Sequence, residues 1–590
     1  MEAGRLAGKI VSGLFVIAVL AAAGGCAKGS GDSNGSGGGS TGIPRVINTD
    51  PADGAINVLV NNSIEVTFSE PMDEAAVQEA FTLYRKSTDE PVTGTIIYTD
   101  DVILFTPDLP LEYSTAANPV TYVGTVSTAA KDLQGLAMGS SHVWTFQTQL
   151  EPDKVGKDVP VTSYTITYPA GFIAFNFSSG QCSIGIDETT PQTTVFSTWY
   201  DSRNDTGSGN RDIFFAEGTE DVGGNYTFGG ENVRVNDDTG AADQKFPCLA
   251  VVPDGNLYIV WDDARNGNSD IYFSRSLDGG STWDDNVKVN WDDATNTVQS
   301  APAIAVGENG IIYVVWRDGR DGVDNIYFSK SGDQGTTFGE NVKVNDQPRS
   351  FFGHTHPSIG VSPDGLIAVV WRDNRNATNP DADNTSDIYF AKSTNGGVSF
   401  DANLKVNDDL IEDDDGNLVV NSNNTFQHDP TVRVQSNGNI LVAWVDLKNQ
   451  GNADIYFSRS TDSGISFEQN IRVNDSANIA GEDIPSMAVN SNGTIVIAWQ
   501  DSRKGDLDIY MARSYYLLDG QLAFGVSQRV NGDYVSSGFS DSTRQFDVNV
   551  ALDGLGNAYL TWADQRWSPT PDAEQSPGDI YFSKVTPAAP

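Results

Sequence analysis

The chain has 590 residues, with 36 Lys plus Arg against 79 Asp plus Glu and a formal net charge of −43. A surface this acidic disfavours nucleic acid and anionic membrane surfaces as partners; it suits a secreted, solvated protein or one that binds cations. The length is enough for several domains.

In chain order, the first element is a leader. Arg5 and Lys9 precede an apolar run from Ile10 to Ala23, which closes on Ala23-Gly24-Gly25-Cys26. A basic start, a short apolar core and small residues describe a secretory signal. Small residues directly before a cysteine resemble a bacterial lipobox, although Ala23 stands where that motif usually has Leu. The resemblance implies that Cys26 is lipidated and anchors the chain in the bacterial envelope. Ala27 is no inner-membrane retention signal, so the outer membrane is the expected location. Residues 1–26 are therefore read as signal and lipobox. Residues 27–43, Gly- and Ser-rich, form a flexible tether. No later segment is long and apolar enough to span a membrane.

Residues 44–149 carry the strand-like runs "SIEVTF", "GTIIYT", "VILFTP", "VTYVGTV" and "HVWTFQT" between turn residues. About a hundred residues of that pattern predict a β-sandwich. The stretch "DPADGAINVLVNNSIEVTFSEPMD", with the closing "VWTFQT", resembles the bacterial Ig-like domain of S-layer and surface proteins. That family implies a spacer or presentation role and brings no catalytic residues.

Residues 150–590 are a repeat. Trp-x-Asp occurs seven times, at Trp199, Trp261, Trp316, Trp371, Trp444, Trp499 and Trp562. Two positions after the Asp stands an arginine in six copies, as in the pairs Asp263/Arg265, Asp318/Arg320 and Asp373/Arg375; Lys448 replaces it in the fifth. Such a period with tolerated insertions means one supersecondary unit stacked on its neighbours. In the second copy "NLYIVW", "IYFSRS", "VKVN" and "PAIAV" alternate with polar turns, the hairpin signature. Four short strands per repeat describe a propeller blade. The expected fold class is all-β: an Ig-like β-sandwich followed by a seven-bladed β-propeller.

Counted from the axis outward, inner strands begin near Cys182, Pro247, Pro302, Pro357, Pro430, Pro485 and Phe546. Third strands begin at Asp212, Asp270, Asn325, Asp387, Asp454, Asp508 and Asp579. Outer strands ("VRVN", "VKVN", "LKVN", "IRVN", "QRVN") number six. An unpaired outer edge is a liability, so the segment before the first inner strand is expected to supply the missing strand. Counting back from Cys182 places it at Tyr164–Tyr168.

The hairpins between third and outer strands carry a second motif: Ser276-x-Asp278-x-Gly280-x-Thr282-Trp283, Ser331-x-Asp333-x-Gly335-x-Thr337-Phe338 and Ser460-x-Asp462-x-Gly464-x-Ser466-Phe467, with a looser copy from Ser393 to Phe400. These resemble the Asp-box (BNR) repeats of sialidases and many other propellers. The resemblance implies that Ser and Asp hold the turn, that the aromatic packs beneath it, and that the hairpin lies opposite any active site. A sialidase also needs three converging arginines, a Tyr–Glu pair and an acid/base Asp. The Arg-Ile-Pro motif that usually opens such enzymes is absent. Arginines at one repeated position would form a ring rather than a pocket, so each Asp is read as capping its turn and each Arg as pairing within or between blades.

The longest insertions fall on the face shared by the second-to-third and outer-to-inner connections, and variable loops on a rigid scaffold are where binding resides. His354, His356 and His428 lie there just before inner strands, with Asp429 and Asp483 in comparable places. They are candidates for a polar ligand or a metal; the alternative is solvated loop histidines. No zinc spacing such as His-Glu-x-x-His is present. The acidic stretches "NPDADNTSD" and "DDLIEDDDGN" are candidates for Ca²⁺ or simply solvated; Ile411 breaks the EF-hand pattern. Cys182 and Cys248, on neighbouring inner strands, are a candidate disulfide or two small buried hydrophobes. The first functional reading is an envelope lipoprotein whose propeller binds a glycan or protein ligand without catalysis. The alternatives are a sialidase-like glycoside hydrolase and a structural partner in an envelope complex.

Overall fold

The computed structural model describes residues 42–590 except 59, 61, 100, 109–110, 115–118, 150–153, 156–157, 162–179, 189–192, 204–209, 222, 292–296, 348–352, 377–385, 413–417, 421–425, 450–451, 477–480, 506, 518–519, 533–543, 565–578 and 588–590. The leader, Cys26 and the tether lie outside the described residues. Among those described, no helix is long and apolar enough to cross a membrane.

The N-terminal module packs two sheets face to face. One runs Val46–Asp50, Ile64–Phe68, Val102–Pro107, Gly94–Thr99; the other runs Ala55–Val58, His142–Thr148, Thr121–Val126, Phe81–Arg85, Glu90–Pro91. Ile64, Val66 and Phe68 alternate inward and are fully buried, the period-2 pattern of a half-buried strand. Trp144 and Phe146 fill the core from the facing sheet. Gly124 lies beneath Trp144, where a Cβ would stand 2.3 Å from the indole. The helix Glu74–Ala80 is capped by the Asp73 carboxylate, which accepts from Ala76 N–H at 2.8 Å. Neither this helix nor the strands Val46–Asp50, Ala55–Val58 and Phe81–Arg85 was among the elements expected from the sequence.

Among the described residues the rest of the chain forms seven antiparallel sheets of one strand order, with a two-stranded hairpin of Leu410–Glu412 and Leu418–Val420 beside them in sequence. Their inner strands are Gly180–Asp187, Gln244–Val251, Gln299–Val306, His354–Val361, Gln427–Val434, Glu482–Val489 and Gln545–Leu552. Each inner strand packs against that of the next sheet, and the seventh packs against the first. Second strands end in the Trp-x-Asp motif. In the second and sixth sheets, Leu257–Asp263 and Ile495–Asp501, every residue is buried. A strand covered on both faces by neighbouring sheets reads as a continuous apolar run, not as an alternation. All seven motif tryptophans have 0% exposure.

The seventh sheet takes its outer strand from the chain segment before the first. Val159–Pro160 pairs with Tyr581–Phe582, and Lys154–Val155 pairs with Val585–Thr586. Val161 N–H then donates to Ile580 O at 2.8 Å, as Val289 N–H does to Ile271 O in the second sheet. The missing strand is thus supplied as expected, but by residues upstream of Tyr164–Tyr168, which lie outside the described residues. "VPV" plays the part of "VKV". Only two residues pair with the third strand at this position, too few for alternation to reveal, and the stronger β pattern of "YTITY" drew the assignment away.

The hairpins between third and outer strands are held by short side chains. Ser276 Oγ donates to Asp278 Oδ1 at 2.8 Å, while Asp278 accepts from Thr282 N–H and Oγ1 at 2.9 and 2.6 Å. The same bonds recur around Asp333 and Asp462. These bonds hold the Asp278 and Asp333 carboxyls down at about 2, below the usual carboxylate range. Trp283, Phe338, Phe400 and Phe467 each meet a phenylalanine of the preceding sheet edge-on, with centroids 5.2–5.3 Å apart. Gly335 has φ +85°, and a Cβ there would stand 2.1 Å from the Phe273 ring; only glycine admits that approach.

Closure through Val161 is testable. Val161 is fully buried in a cluster with Tyr559 and Phe582. Val161→Asp places an unpaired carboxylate there and is expected to cost more than about 3 kcal/mol, read by denaturant unfolding. Val155→Asp, at a position 37% exposed, serves as the control and should change stability by less than about 0.5 kcal/mol. Equal effects of the two would sink the assignment.

Candidate functional site

The motif Asp is the centre of a buried network. In all seven copies the Trp Nε1–H donates to the Asp two residues on, at 2.7–3.3 Å. Arg265 donates its backbone N–H and Nε to Asp263, both at 2.9 Å, and pairs with it through Nη2 at 2.8 Å. The guanidinium lies over the Tyr272 ring at 4.3 Å and reaches Asp237 of the preceding sheet at 2.6 Å. Arg375 and Arg503 reach Asp346 and Asp475 in the same way, and Lys448 reaches Asp408. Arg320 bridges instead to the carbonyl of Trp291. These cations are committed to the scaffold. Arg566 lies outside the described residues.

In several sheets the first residue of the inner strand joins this network. Gln244, Gln299 and Gln427 donate Nε2–H to Asp263, Asp318 and Asp446, at 3.4, 3.2 and 2.9 Å. In the fourth sheet the position is His354. It is 1% exposed, and its Nδ1 stands 3.2 Å from Asp373. His354 is therefore not a mouth ligand. It is a buried partner of the motif Asp, placed there because the inner strand begins at His354, three residues before the expected start at Pro357. Burial works against the Asp373 charge, but His354 and Arg375 outweigh it and hold the carboxyl below its ordinary value. In the sixth sheet the position is Glu482, also fully buried, with Oε2 making no hydrogen bond.

The third residue of six inner strands, the second to the seventh, builds the mouth. The strands bulge after their second residue, and Phe246, Ala301, His356, Asp429, Ile484 and Asp547 all have φ between +49° and +56°. Non-glycine residues, above all a β-branched one, pay for that conformation, and such strain gathers at functional sites. The bulge brings all six to a single cavity of ≈ 320 Å³, shared with the prolines that follow. Its lining is asymmetric. Phe246 meets Tyr200 edge-on, centroids 6.2 Å apart. Across the mouth, His428 Nδ1 is 3.0 Å from Asp429 Oδ2 and 3.7 Å from Asp483 Oδ1, while His356 Nε2 is 3.7 Å from Asp429 Oδ1. Burial lowers the His356 pKa, against the pull of Asp429. Burial also raises Asp483, helped by the Asp429 charge. In Asp429 burial is outweighed by the hydrogen bond from His428 and the charges around it, and the pKa is lowered.

His356, His428, Asp429 and Asp483 are thus brought together, although on strands rather than in the loops expected. Phe246, Tyr200, Ile484 and Asp547 were missed, as were Arg317 and Arg372. The last two, with Tyr200 and Gln500, sit between Trp and Asp of the motif, and Gln500 bridges Asp483 and the Asp547 N–H at 3.5 and 3.4 Å. The usable signal was the recurring "xxP" at the inner-strand start and the variable middle letter of Trp-x-Asp, which faces away from its neighbours. Most of the two acidic Ca²⁺ candidate stretches lies outside the described residues. Cys248 is a free thiol whose pKa burial pushes up; the side chain of Cys182 lies outside the described residues. A larger cavity, ≈ 440 Å³, at the other end of the inner strands is lined by turn residues including Glu308, Ser362, Gln435, Asn490 and Tyr516.

Two family models match the chain. Residues 40–148 match the bacterial Ig-like domain, and residues 194–472 match a BNR repeat-containing family. No curated protein matches the sequence. Solved structures similar to it include a protein of unknown function from Dyadobacter fermentans (12% identity, TM-score 0.41, 74% of this chain and 100% of that one). An α-L-arabinofuranosidase from Fusarium graminearum is similar at 12% identity and TM-score 0.41, over 64% and 97% of the two chains. A family PL25 ulvan lyase is similar at 12% identity and TM-score 0.42, over 73% and 94%. At these values nothing about this chain's chemistry follows from theirs.

Glu482 gives a pH test. Burial and the nearby Asp501 and Asp454 charges outweigh the Ser476 hydrogen bond and raise its pKa from 4.5 to about 7. The folded state therefore holds a proton that the unfolded chain releases, and stability falls as pH rises through that window, by roughly 3 kcal/mol in all. Glu482→Gln, which restores the amide of the other sheets, should remove that loss. Denaturant unfolding is expected to show little difference at pH 4 and a variant more stable by about 3 kcal/mol at pH 8; parallel pH profiles would refute it.

Proposed function

We propose that this chain is a cell-envelope lipoprotein whose Ig-like module presents a closed seven-bladed propeller, and that the propeller mouth binds a glycan without cleaving it. Closure is supported by seven sheets of one strand order whose inner strands touch in a cycle. The binding reading rests on one observation, the two-sided mouth: Phe246 and Tyr200 on one flank with Asp547 beside them, His356 and Asp429 on the other, around ≈ 320 Å³. That volume lies within the range of about 300–1,000 Å³ typical of ligand sites. An aromatic face takes the C–H surface of a sugar ring, and carboxylates take its hydroxyls.

The lack of catalysis is argued from spacing. The carboxylates of Asp429 and Asp483 offer oxygens within 4.8 Å of each other, joined through His428. Glycosidase pairs stand about 5–9.5 Å apart to leave room for a sugar or water. One observation favours a hydrolase as the second reading: the environments of Asp429 and Asp483 push their pKa values apart, as in an acid/base pair.

A glycan array probed with the full chain in detergent should return a defined class of binders. Phe246→Ala and Asp547→Asn are each expected to weaken the best binder at least about tenfold, near 1.4 kcal/mol. Fluorogenic glycosides should release nothing; turnover lost in Asp483→Asn would hand the mouth to the hydrolase reading. For the anchor, Cys26→Ser should move the protein from the membrane fraction to the soluble one, and unchanged fractionation would end the lipoprotein reading.

A further inference from the structure

One sector of the mouth has the chemistry of a metal site. His428, Asp429 and Asp483 each offer one ligand atom such that all lie within 4.8 Å of one another. The distances that His428 Nδ1 makes, 3.0 Å to Asp429 Oδ2 and 3.7 Å to Asp483 Oδ1, bracket the spacing of roughly 3.4 Å between donors held tetrahedrally about 2.1 Å from one centre. Two carboxylates converge on one imidazole nitrogen. A single imidazole nitrogen has one proton or one lone pair to give, yet two carboxylates face it and repel each other.

We propose that His428 Nδ1, Asp429 Oδ2 and Asp483 Oδ1 bind a divalent transition-metal ion of the zinc class. Three protein ligands, one of them nitrogen, suit zinc, cobalt or nickel; calcium asks for six to eight oxygens. Asp429 lines the cavity, and the Asp429 and Asp483 side chains are 25% and 41% exposed, which leaves a fourth position open to an oxygen of water or of a ligand. Neighbouring groups hold the set. Ile484 N–H donates to Asp483 Oδ1 at 2.9 Å, and Gln500 Nε2–H approaches its other oxygen. His356, beside the second oxygen of Asp429, is a positioning residue. The ion binds whether or not the mouth also takes a glycan.

The test is calorimetric titration of chelator-dialysed full chain, free of any histidine tag, with Zn²⁺ and separately with Ca²⁺, and with Co²⁺ followed by its visible absorption. One equivalent of Zn²⁺ or Co²⁺ per chain is expected, with no heat from Ca²⁺ at the same concentration. His428→Ala and Asp483→Asn should each abolish uptake, and His356→Ala should weaken it about 10–100-fold, as loss of an outer partner does; circular dichroism confirms that each variant is folded. Absence of Zn²⁺ uptake by the wild type overturns the proposal. So does undiminished uptake by folded His428→Ala or Asp483→Asn, or Ca²⁺ binding as tight as Zn²⁺. A failed glycan array with intact Zn²⁺ uptake would remove only the glycan reading.

Discussion

A fully buried carboxylate holds each repeat together. Asp263, with 0% exposure, accepts from the Trp261 indole, the Arg265 backbone and guanidinium, and the Gln244 amide. Leaving such a charge unpaired in the interior costs several kcal/mol. The donors that satisfy it come from three directions: the end of its own strand, the turn that follows, and the inner strand. Through Arg265 the carboxylate is also tied to Asp237, and so to the preceding sheet. One buried charge thus fixes the end of the second strand, the angle of the turn and the seating of one sheet on the next. Arg265 is held between Asp237, Asp263 and the face of Tyr272, so it has no freedom to serve a ligand.

The same network decides where the mouth side chains point. The first two inner-strand residues pair with the end of the second strand, the ladder resumes only at the fifth, and the third residue, in the bulge between, takes the left-handed conformation. Phe246 and Ile484 accept that strain although neither type favours it. Scaffold and site are therefore coupled through two residues of backbone. Sequence changes at the third position alter the mouth without touching the core.

The repeat, the motif tryptophans, the third-strand starts and most of the Ig-like strands were legible because hydrophobic period and turn residues announce them. What stayed hidden follows from short or broken ladders. Val159–Pro160 pairs over two residues, which no periodicity can mark. Inner strands were expected to start at their prolines, since Pro lacks an N–H and breaks a pattern, whereas the ladder begins three residues earlier, beyond the bulge. That shift alone turned His354 from a core residue into a supposed ligand and hid the positive-φ ring. Arg317 and Arg372 occupy the motif position that varies, so no repeat marks them as the recurring arginines are marked.

In a repeat protein the residues common to every copy serve the scaffold, so function belongs where copies differ. The differences here are not scattered. The first inner-strand residue is Gln in the second, third, fifth and seventh sheets, but His354 in the fourth and Glu482 in the sixth. The recurring arginine gives way to Lys448 in the fifth. The mouth position is ionisable at His356 and Asp429, and again at Asp547 in the seventh sheet; His428 and Asp483 stand beside it, and the motif's middle letter is Arg372 in the fourth and Gln500 in the sixth, with Arg317 in the third. The longest second-to-third connection within this run, Trp371 to Asp387, and the longest outer-to-inner connection, Asn407 to Gln427, belong to the fourth and fifth sheets. Random drift would spread such departures around the ring. Most of them fall on three consecutive sheets of the seven, the sector in which the ion proposed above would sit.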